Sequence, residues 1–93
     1  MFCTIKTKVG EKFNMSEMVP VSGGYTCLAD FNPEFLDLCE EKRVPGIRPG
    51  EPARYTFTFL ARKSGTTTIH LVEARPWHGG DVSKVTSCDI FIS

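Results

Sequence analysis

The chain has 93 residues, 41% hydrophobic and 24% charged, and its 11 basic and 11 acidic residues give a net charge of zero. A chain of this length forms one domain, residues 1–93, and buries roughly 60–68% of the surface that its unfolded form exposes. The balanced charge argues against nucleic-acid binding, and the absence of a long apolar run argues against a membrane span. The first residues do not resemble a secretory leader. We therefore expect a cytoplasmic protein, or a lysosomal, vesicular or secreted one if a leader has been removed.

The first half of the chain alternates apolar and polar residues, a period of two that predicts β-strands. Three strands are predicted near residues 3–6, 13–17 and 25–29. The residues that share one face of each strand are Cys3 and Ile5, then Phe13, Met15 and Glu17, then Tyr25, Cys27 and Ala29. A turn is expected at residues 30–33, because Pro33 fixes φ. Residues 35–39 fit either a helical turn or a short bent strand, and the charged residues 40–43 fit a solvated edge in both cases.

The second half contains the clearest strand of the chain, residues 55–62, a β-branched and aromatic run of the kind that strands prefer. Strands near residues 66–73 and 84–93 follow it. One face of the first of these strands holds Tyr55, Phe57, Phe59 and Ala61, and one face of the last holds Cys88, Ile90 and Ile92. In the strand between them, Thr67, Ile69 and Leu71 are predicted to face the core. Seven short strands at near-regular spacing predict an all-β protein, an immunoglobulin-like β-sandwich.

Two of the predicted connections are rich in glycine and proline. Residues 19–24 contain Pro20 and the pair Gly23-Gly24. They form either a plain hairpin connection or a loop whose main chain approaches another molecule closely. Residues 44–52 hold three prolines and two glycines. This longest connection is either a connector that crosses between sheets or a stiff binding loop.

A third connection holds the only tryptophan, within Arg75-Pro76-Trp77-His78-Gly79-Gly80. Trp77 is either folded over the sandwich or an exposed anchor, because tryptophan is highly buried on average yet dominates many interfaces. The polar flanks Arg75 and His78 favour an exposed loop, and Pro76 would reduce the entropy lost on binding. In an immunoglobulin-like order the three connections follow alternate strands and gather at one end, which favours a binding role for all three.

Side chains suited to catalysis are sparse. His70 and His78 are the only histidines, and the sequence has no Cys-x-x-Cys, His-x-x-x-His or Gly-x-Ser-x-Gly motif. Residues 46–50 lack the Lys-Ser/Thr ending of a phosphate loop. We therefore expect no enzyme activity, no metal and no other cofactor.

The four cysteines, Cys3, Cys27, Cys39 and Cys88, allow three disulfide pairings in an oxidising compartment. In the absence of a leader we expect reduced thiols instead. Cys27 and Cys88 lie at alternating apolar positions, where a free cysteine behaves as a small hydrophobic residue.

Several segments of the sequence resemble the chagasin family, whose members inhibit papain-like cysteine proteases. The resemblance is carried by Arg75-Pro76-Trp77, by the run at residues 63–71 and by Val9-Gly10-Glu11 with Phe13. It covers most of the chain and implies an immunoglobulin-like sandwich that plugs the protease cleft with a wedge of three loops. It also implies reversible, competitive inhibition of a papain or cathepsin-like protease by a free monomer, without a cofactor, nucleic acid or membrane.

The protease-binding residues that the resemblance implies lie in these three loops. They are Pro20, Val21, Ser22, Gly23, Gly24 and Tyr25, then Gly46, Ile47, Arg48, Pro49 and Gly50, then Arg75, Pro76, Trp77 and His78. The first loop would block the catalytic Cys–His pair, and the other two would grip the enzyme from either side. Three features depart from the family pattern: the first loop lacks its usual Asn, Pro49 interrupts the glycines of the second, and Cys27 lies near a usual Trp. The alternative is a non-inhibitory adhesion or scaffold module of the same fold.

Overall fold

The computed structural model of the protein describes residues 2–20, 24–75 and 82–93, which form seven β-strands. The strands are β1 (Phe2–Thr7), β2 (Lys12–Val19), β3 (Thr26–Asp30), β4 (Leu36–Val44), β5 (Ala53–Ala61), β6 (Gly65–Ala74) and β7 (Val82–Ile92). No helix long and apolar enough to cross a membrane occurs among the described residues. The expectation of about seven strands from the spacing of turn signals is confirmed.

The strands form two sheets. One has four strands in the order β1-β7-β6-β3, and the other has three in the order β2-β5-β4. All neighbours are antiparallel except β1, which runs parallel to β7. Along β2, β5 and β6 buried residues alternate with more exposed ones, so the alternation in the sequence becomes an apolar layer between the sheets. The predicted all-β, immunoglobulin-like sandwich is confirmed.

The core between the sheets consists largely of residues that alternation grouped on one face of a strand. Its largest fully buried side chains are Phe57, Phe59, Leu36, Ile69, Leu71, Ile90, Val19 and Cys88. Phe59 lies at the centre of an aromatic group, with its ring centroid 5.7 Å from that of Phe13 and 5.3 Å from that of Phe31. Full burial of one such side chain contributes roughly 1.5–3 kcal/mol, so this layer provides most of the driving force for folding.

The ambiguous segment at residues 35–39 becomes a bent strand from Leu36 onward, and Phe35 lies in the turn before it. β4 begins at Leu36, and its register against β5 shifts between Leu38 and Glu40, so Cys39 is the extra residue of a bulge. The charged residues 40–43 are exposed, as predicted for a solvated edge. The turn before β4 is held by Asn32, whose Oδ1 accepts a hydrogen bond of 2.9 Å from the Glu34 amide.

The expectation of four reduced thiols is wrong for one pair. Cys3 and Cys88 form a disulfide, whereas Cys27 and Cys39 are free. Because β1 and β7 pair in parallel, the two cysteines stand directly opposite each other with their Cα atoms 4.5 Å apart. That separation lies within the range that a disulfide bridges. The disulfide therefore ties the first strand to the last.

Candidate functional site

The three connections rich in glycine and proline begin and end at the same end of the sandwich. In the three-stranded sheet the last residue of β2 pairs with the first of β5, and the last residue of β4 with the second of β5. In the other sheet the first residue of β3 pairs with the last of β6, which pairs with the first of β7. Residues 20–25, 45–52 and 75–81 therefore connect strands at one end, which we call the loop end. The opposite end is called the turn end.

Six of the predicted binding residues lie outside the described residues. They are Val21, Ser22 and Gly23 of the first connection and Pro76, Trp77 and His78 of the third. The other nine lie in the described parts of the three connections, at the loop end.

The second connection is a tight loop that exposes an apolar side chain. Ile47 is 97% exposed, the highest value among the exposed large hydrophobic residues. The loop closes on itself because the Glu51 amide donates a 3.2 Å hydrogen bond to the Arg48 carbonyl, and the two side chains form an ion pair at 3.9 Å. A Cβ added at Gly46 would collide with the Cβ of Glu51. Glycine is therefore required at position 46 for the loop to close, and the closed loop fixes the main chain that carries Ile47.

The first and third connections contact each other through a cation and an aromatic ring. The guanidinium carbon of Arg75 lies 4.8 Å from the centroid of the Tyr25 ring. Both residues are half-buried, and Tyr25 also packs against the core. Gly24, the residue before it, has φ of 74°, a conformation that favours glycine. Arg75 and Tyr25 thus join the bases of two connections.

A group of polar side chains lies between the sheets beneath these connections. Glu17 accepts a hydrogen bond of 2.6 Å from Lys84 Nζ and one of 2.9 Å from Thr86 Oγ1. The side chain of Glu73, a residue only 7% exposed, accepts a hydrogen bond from the Ser83 hydroxyl. Alternation had placed Glu17 on the apolar face, but no signal in the sequence identified its partners in the other sheet.

These contacts shift the pKa values of the group and reinforce the ordinary protonation state of each member. Burial opposes ionisation of Glu17, but hydrogen bonds from Lys84 and Thr86 and the Lys84 charge together lower its pKa. The hydrogen bond with Glu17 raises the pKa of Lys84. Burial, followed by the charges of Glu17 and Glu73, raises the pKa of the Cys27 thiol to about 11. Glu17 and Lys84 are therefore an ion pair at neutral pH, and Cys27 is a neutral thiol.

Comparison with protein families gives a match over nearly the whole chain. The model for the chagasin family of peptidase inhibitors, I42, matches residues 6–90. The chain belongs to this family. The resemblance noted in the sequence is thereby confirmed, and the protein is a peptidase inhibitor rather than an enzyme.

Two solved structures share the fold of this chagasin-family chain. One is the crystal structure of the cysteine protease inhibitor EhICP2 from Entamoeba histolytica, with a TM-score of 0.79, 20% identity, and coverage of 99% of this chain and 94% of that one. The other is the solution structure of amebosin, with a TM-score of 0.72, 21% identity, and coverage of 97% and 88%. A search of curated proteins gave no match.

The most enzyme-like contact in the described residues of this inhibitor is between His70 and Ser87. His70 Nδ1 lies 2.7 Å from Ser87 Oγ, and Asp30 is the strand partner of His70 on the other side. These three residues lie on neighbouring strands within a sheet. The strand amides there bond to the neighbouring strands and do not form an oxyanion hole. Cys27 is no better as a nucleophile, because burial keeps it protonated. Within the described ranges, no group of three or more His, Cys, Asp or Glu side chains could hold a metal ion.

Proposed function

We propose that this protein is a reversible, competitive inhibitor of papain-like cysteine proteases, papain and cathepsin-like enzymes included, and that its loop end occupies the active-site cleft. The observation that carries the proposal is the common origin of the three connections at one end of the sandwich. Family membership supports it, as does the shared fold with EhICP2, itself a cysteine protease inhibitor. The inhibitor acts as a monomer and needs no cofactor.

Each connection has a separate role in this proposal. Residues 20–25 lie across the catalytic Cys–His pair, and their glycines and small residues let the main chain fill the cleft without offering a substrate side chain. Residues 46–50 and 75–78 contact the enzyme on either side, with Ile47 and Trp77 as apolar anchors. Large aromatic anchors carry much of the energy of an interface.

Tight binding is expected because the loop end is rigid at its bases. The closed second connection and the contact between Arg75 and Tyr25 leave little freedom to lose on docking. A preformed surface that buries about 1,600 Å² in total gives nanomolar or tighter complexes when its anchors fit well. The disulfide between Cys3 and Cys88 favours action in an oxidising compartment, so we propose a vesicular, lysosomal or secreted site of action.

The direct test is a titration of papain and a cathepsin with the purified protein. We expect activity to fall to zero near one equivalent of inhibitor, and to return when the complex is diluted into excess substrate. Lack of inhibition at micromolar concentration would instead support a non-inhibitory adhesion or scaffold module, an alternative that the altered first loop keeps open.

The same titration can test the second connection. Ile47→Asp places a charge on the most exposed large apolar side chain of the described residues, and we expect a roughly tenfold higher inhibition constant from the loss of an apolar anchor. Val9→Asp is the matched control, because Val9 is an exposed apolar residue at the turn end. Equal inhibition constants for the two variants would remove Ile47 from the interface.

A further inference from the structure

The side chain of Glu17 links the two sheets directly. It projects from β2 in the three-stranded sheet, is only 14% exposed, and reaches Lys84 and Thr86 on β7 of the four-stranded sheet. Other side-chain hydrogen bonds among the described strands stay within one sheet, as between Ser16 and Thr56. Among the described strands, Glu17 is therefore the side chain whose hydrogen bonds cross from one sheet to the other.

The position of this link along the strands is what gives it a functional meaning. Glu17 is two residues from the end of β2, where the first connection begins, and Lys84 is two residues from the start of β7, where the third connection ends. A second hydrogen bond, from Ser83 to Glu73, joins β7 to β6 at the base of the third connection, beside a register shift in the β6–β7 pair. The link from Glu17 thus lies at the bases of the first connection, which would lie across the catalytic pair of a protease, and of the third, which would contact the enzyme beside it.

We propose that Glu17 is a positioning residue for inhibition, whose bonds to Lys84 and Thr86 fix the spacing between the first and third connections and so set the affinity for the protease. This inference rests on the proposed function. Glu17 itself need not touch the enzyme, because it acts through the two strands that carry the connections.

A directed polar link fixes the spacing between two connections more sharply than an apolar contact does. Apolar packing is non-directional, so it constrains the relative position of two sheets less sharply than a directed bond between them does. A charge-assisted hydrogen bond of 2.6 Å has a fixed length and direction, and it defines one arrangement. An ion pair of this kind adds little stability compared with apolar side chains of the same size, so specification of geometry is its more useful contribution.

The test compares two ion pairs at the two ends of the same inhibitor. Glu17→Gln removes the charge at the loop end. Asp37→Asn removes the charge from the exposed pair of Asp37 and Arg62, whose atoms are 3.2 Å apart at the turn end. We expect Glu17→Gln to raise the inhibition constant for papain about tenfold, mainly through faster dissociation, and Asp37→Asn to leave it unchanged.

Further variants separate positioning from a general loss of stability. Lys84→Arg should keep near-native inhibition, and Lys84→Met should match Glu17→Gln. The double variant of Glu17→Gln and Lys84→Met should be no weaker than either single one, since both remove the same link. All inhibition constants are measured well below each melting temperature. The fluorescence of Trp77, the only tryptophan, gives an independent readout and should change in Glu17→Gln but not in Asp37→Asn.

The outcomes distinguish this inference from the proposed function. Failure of the wild-type protein to inhibit papain and cathepsins removes both. Wild-type inhibition together with an unchanged constant in folded Glu17→Gln and Lys84→Met overturns the positioning role alone. If Glu17→Gln does not fold, Thr86→Val decides, because it removes only a hydroxyl group: about threefold weaker inhibition supports the role and no change refutes it.

Discussion

The two ends of this sandwich are closed by different means. At the turn end, short turns are joined by main-chain hydrogen bonds: the Val9 amide bonds to the Ser93 carbonyl at 3.1 Å, Gly10 to Ala61 at 2.8 Å, and Arg62 to Phe35 at 2.8 Å. At the loop end the connections are longer and richer in proline and glycine. There a main-chain bond closes the second connection on itself, and side chains join the bases of the first and third, as Arg75 with Tyr25 and Glu17 with Lys84 do.

This difference separates stability from binding. Main-chain bonds depend little on side-chain identity, so the turn end holds the sandwich together whatever its surface residues are. Side-chain ties leave the main chain of the loop end available to a partner while they fix where each connection starts. Changes at the turn end that remove a covalent tie or disturb the main chain should therefore lower the free energy of unfolding, and substitutions at the loop end should change inhibition.

The largest effect on stability is expected from loss of the disulfide. It joins residues separated by 85 positions and anchors β1, which pairs with the half of β7 nearer the turn end. Replacing Cys3 and Cys88 together by alanine should lower the free energy of unfolding by about 3 kcal/mol, measured in denaturant, and leave inhibition by the folded protein unchanged. Cys39→Ser, at an exposed free cysteine, is the control. Equal stability of the two variants would contradict this assignment.

Trp77→Ala, at the loop end, should change inhibition rather than stability. We expect it to weaken inhibition of papain by ~2 kcal/mol or more, as truncation of an aromatic anchor does. The free energy of unfolding should fall much less, since the sandwich does not rely on an interface anchor. A large loss of stability with unchanged inhibition would place the indole in the core and remove it from the binding site.

Two glycines offer a matched pair of smaller perturbations. Gly65, at the turn end, has φ of 140°, and a Cβ there would lie 2.7 Å from the Phe35 ring. Gly65→Ala should therefore cost roughly 1.5 kcal/mol of stability without changing the inhibition constant. Gly46→Ala should weaken inhibition about tenfold with little change in stability. The added Cβ would force Glu51 away and open the second connection. If both variants change the same quantity, the division between the ends is wrong.

The sequence was sufficient for six of the seven strands, β4 being left open between a helical turn and a strand, and for the gathering of the connections. Burial on one face imposes alternation, so Phe57, Phe59 and Ile69 could be assigned to the core from the order of residues alone. Local patterns do not specify which strands are neighbours, and for that reason the pairing of Cys3 with Cys88 could not be predicted. The partners of Glu17 lie 67 and 69 positions away in the other sheet, and they could not be predicted for the same reason.

The smallest effect concerns the contribution of Glu17 to stability as the pH falls. Its folded pKa lies below the ordinary value of 4.5, so the ionised form is favoured in the folded protein and its contribution is complete above that value. Because Lys84 is half exposed, solvent screens the pair, and Glu17→Gln should lower the free energy of unfolding by only about 1 kcal/mol at pH 7. The deficit should shrink as the pH falls below 4.5 through the folded pKa, where the wild-type carboxyl is also neutral.

Urea unfolding of both proteins between about pH 3 and 7 measures this difference. A deficit that stays constant or grows on acidification would mean that the carboxylate charge does not stabilise the link, and that only the shape of the side chain matters at the loop end.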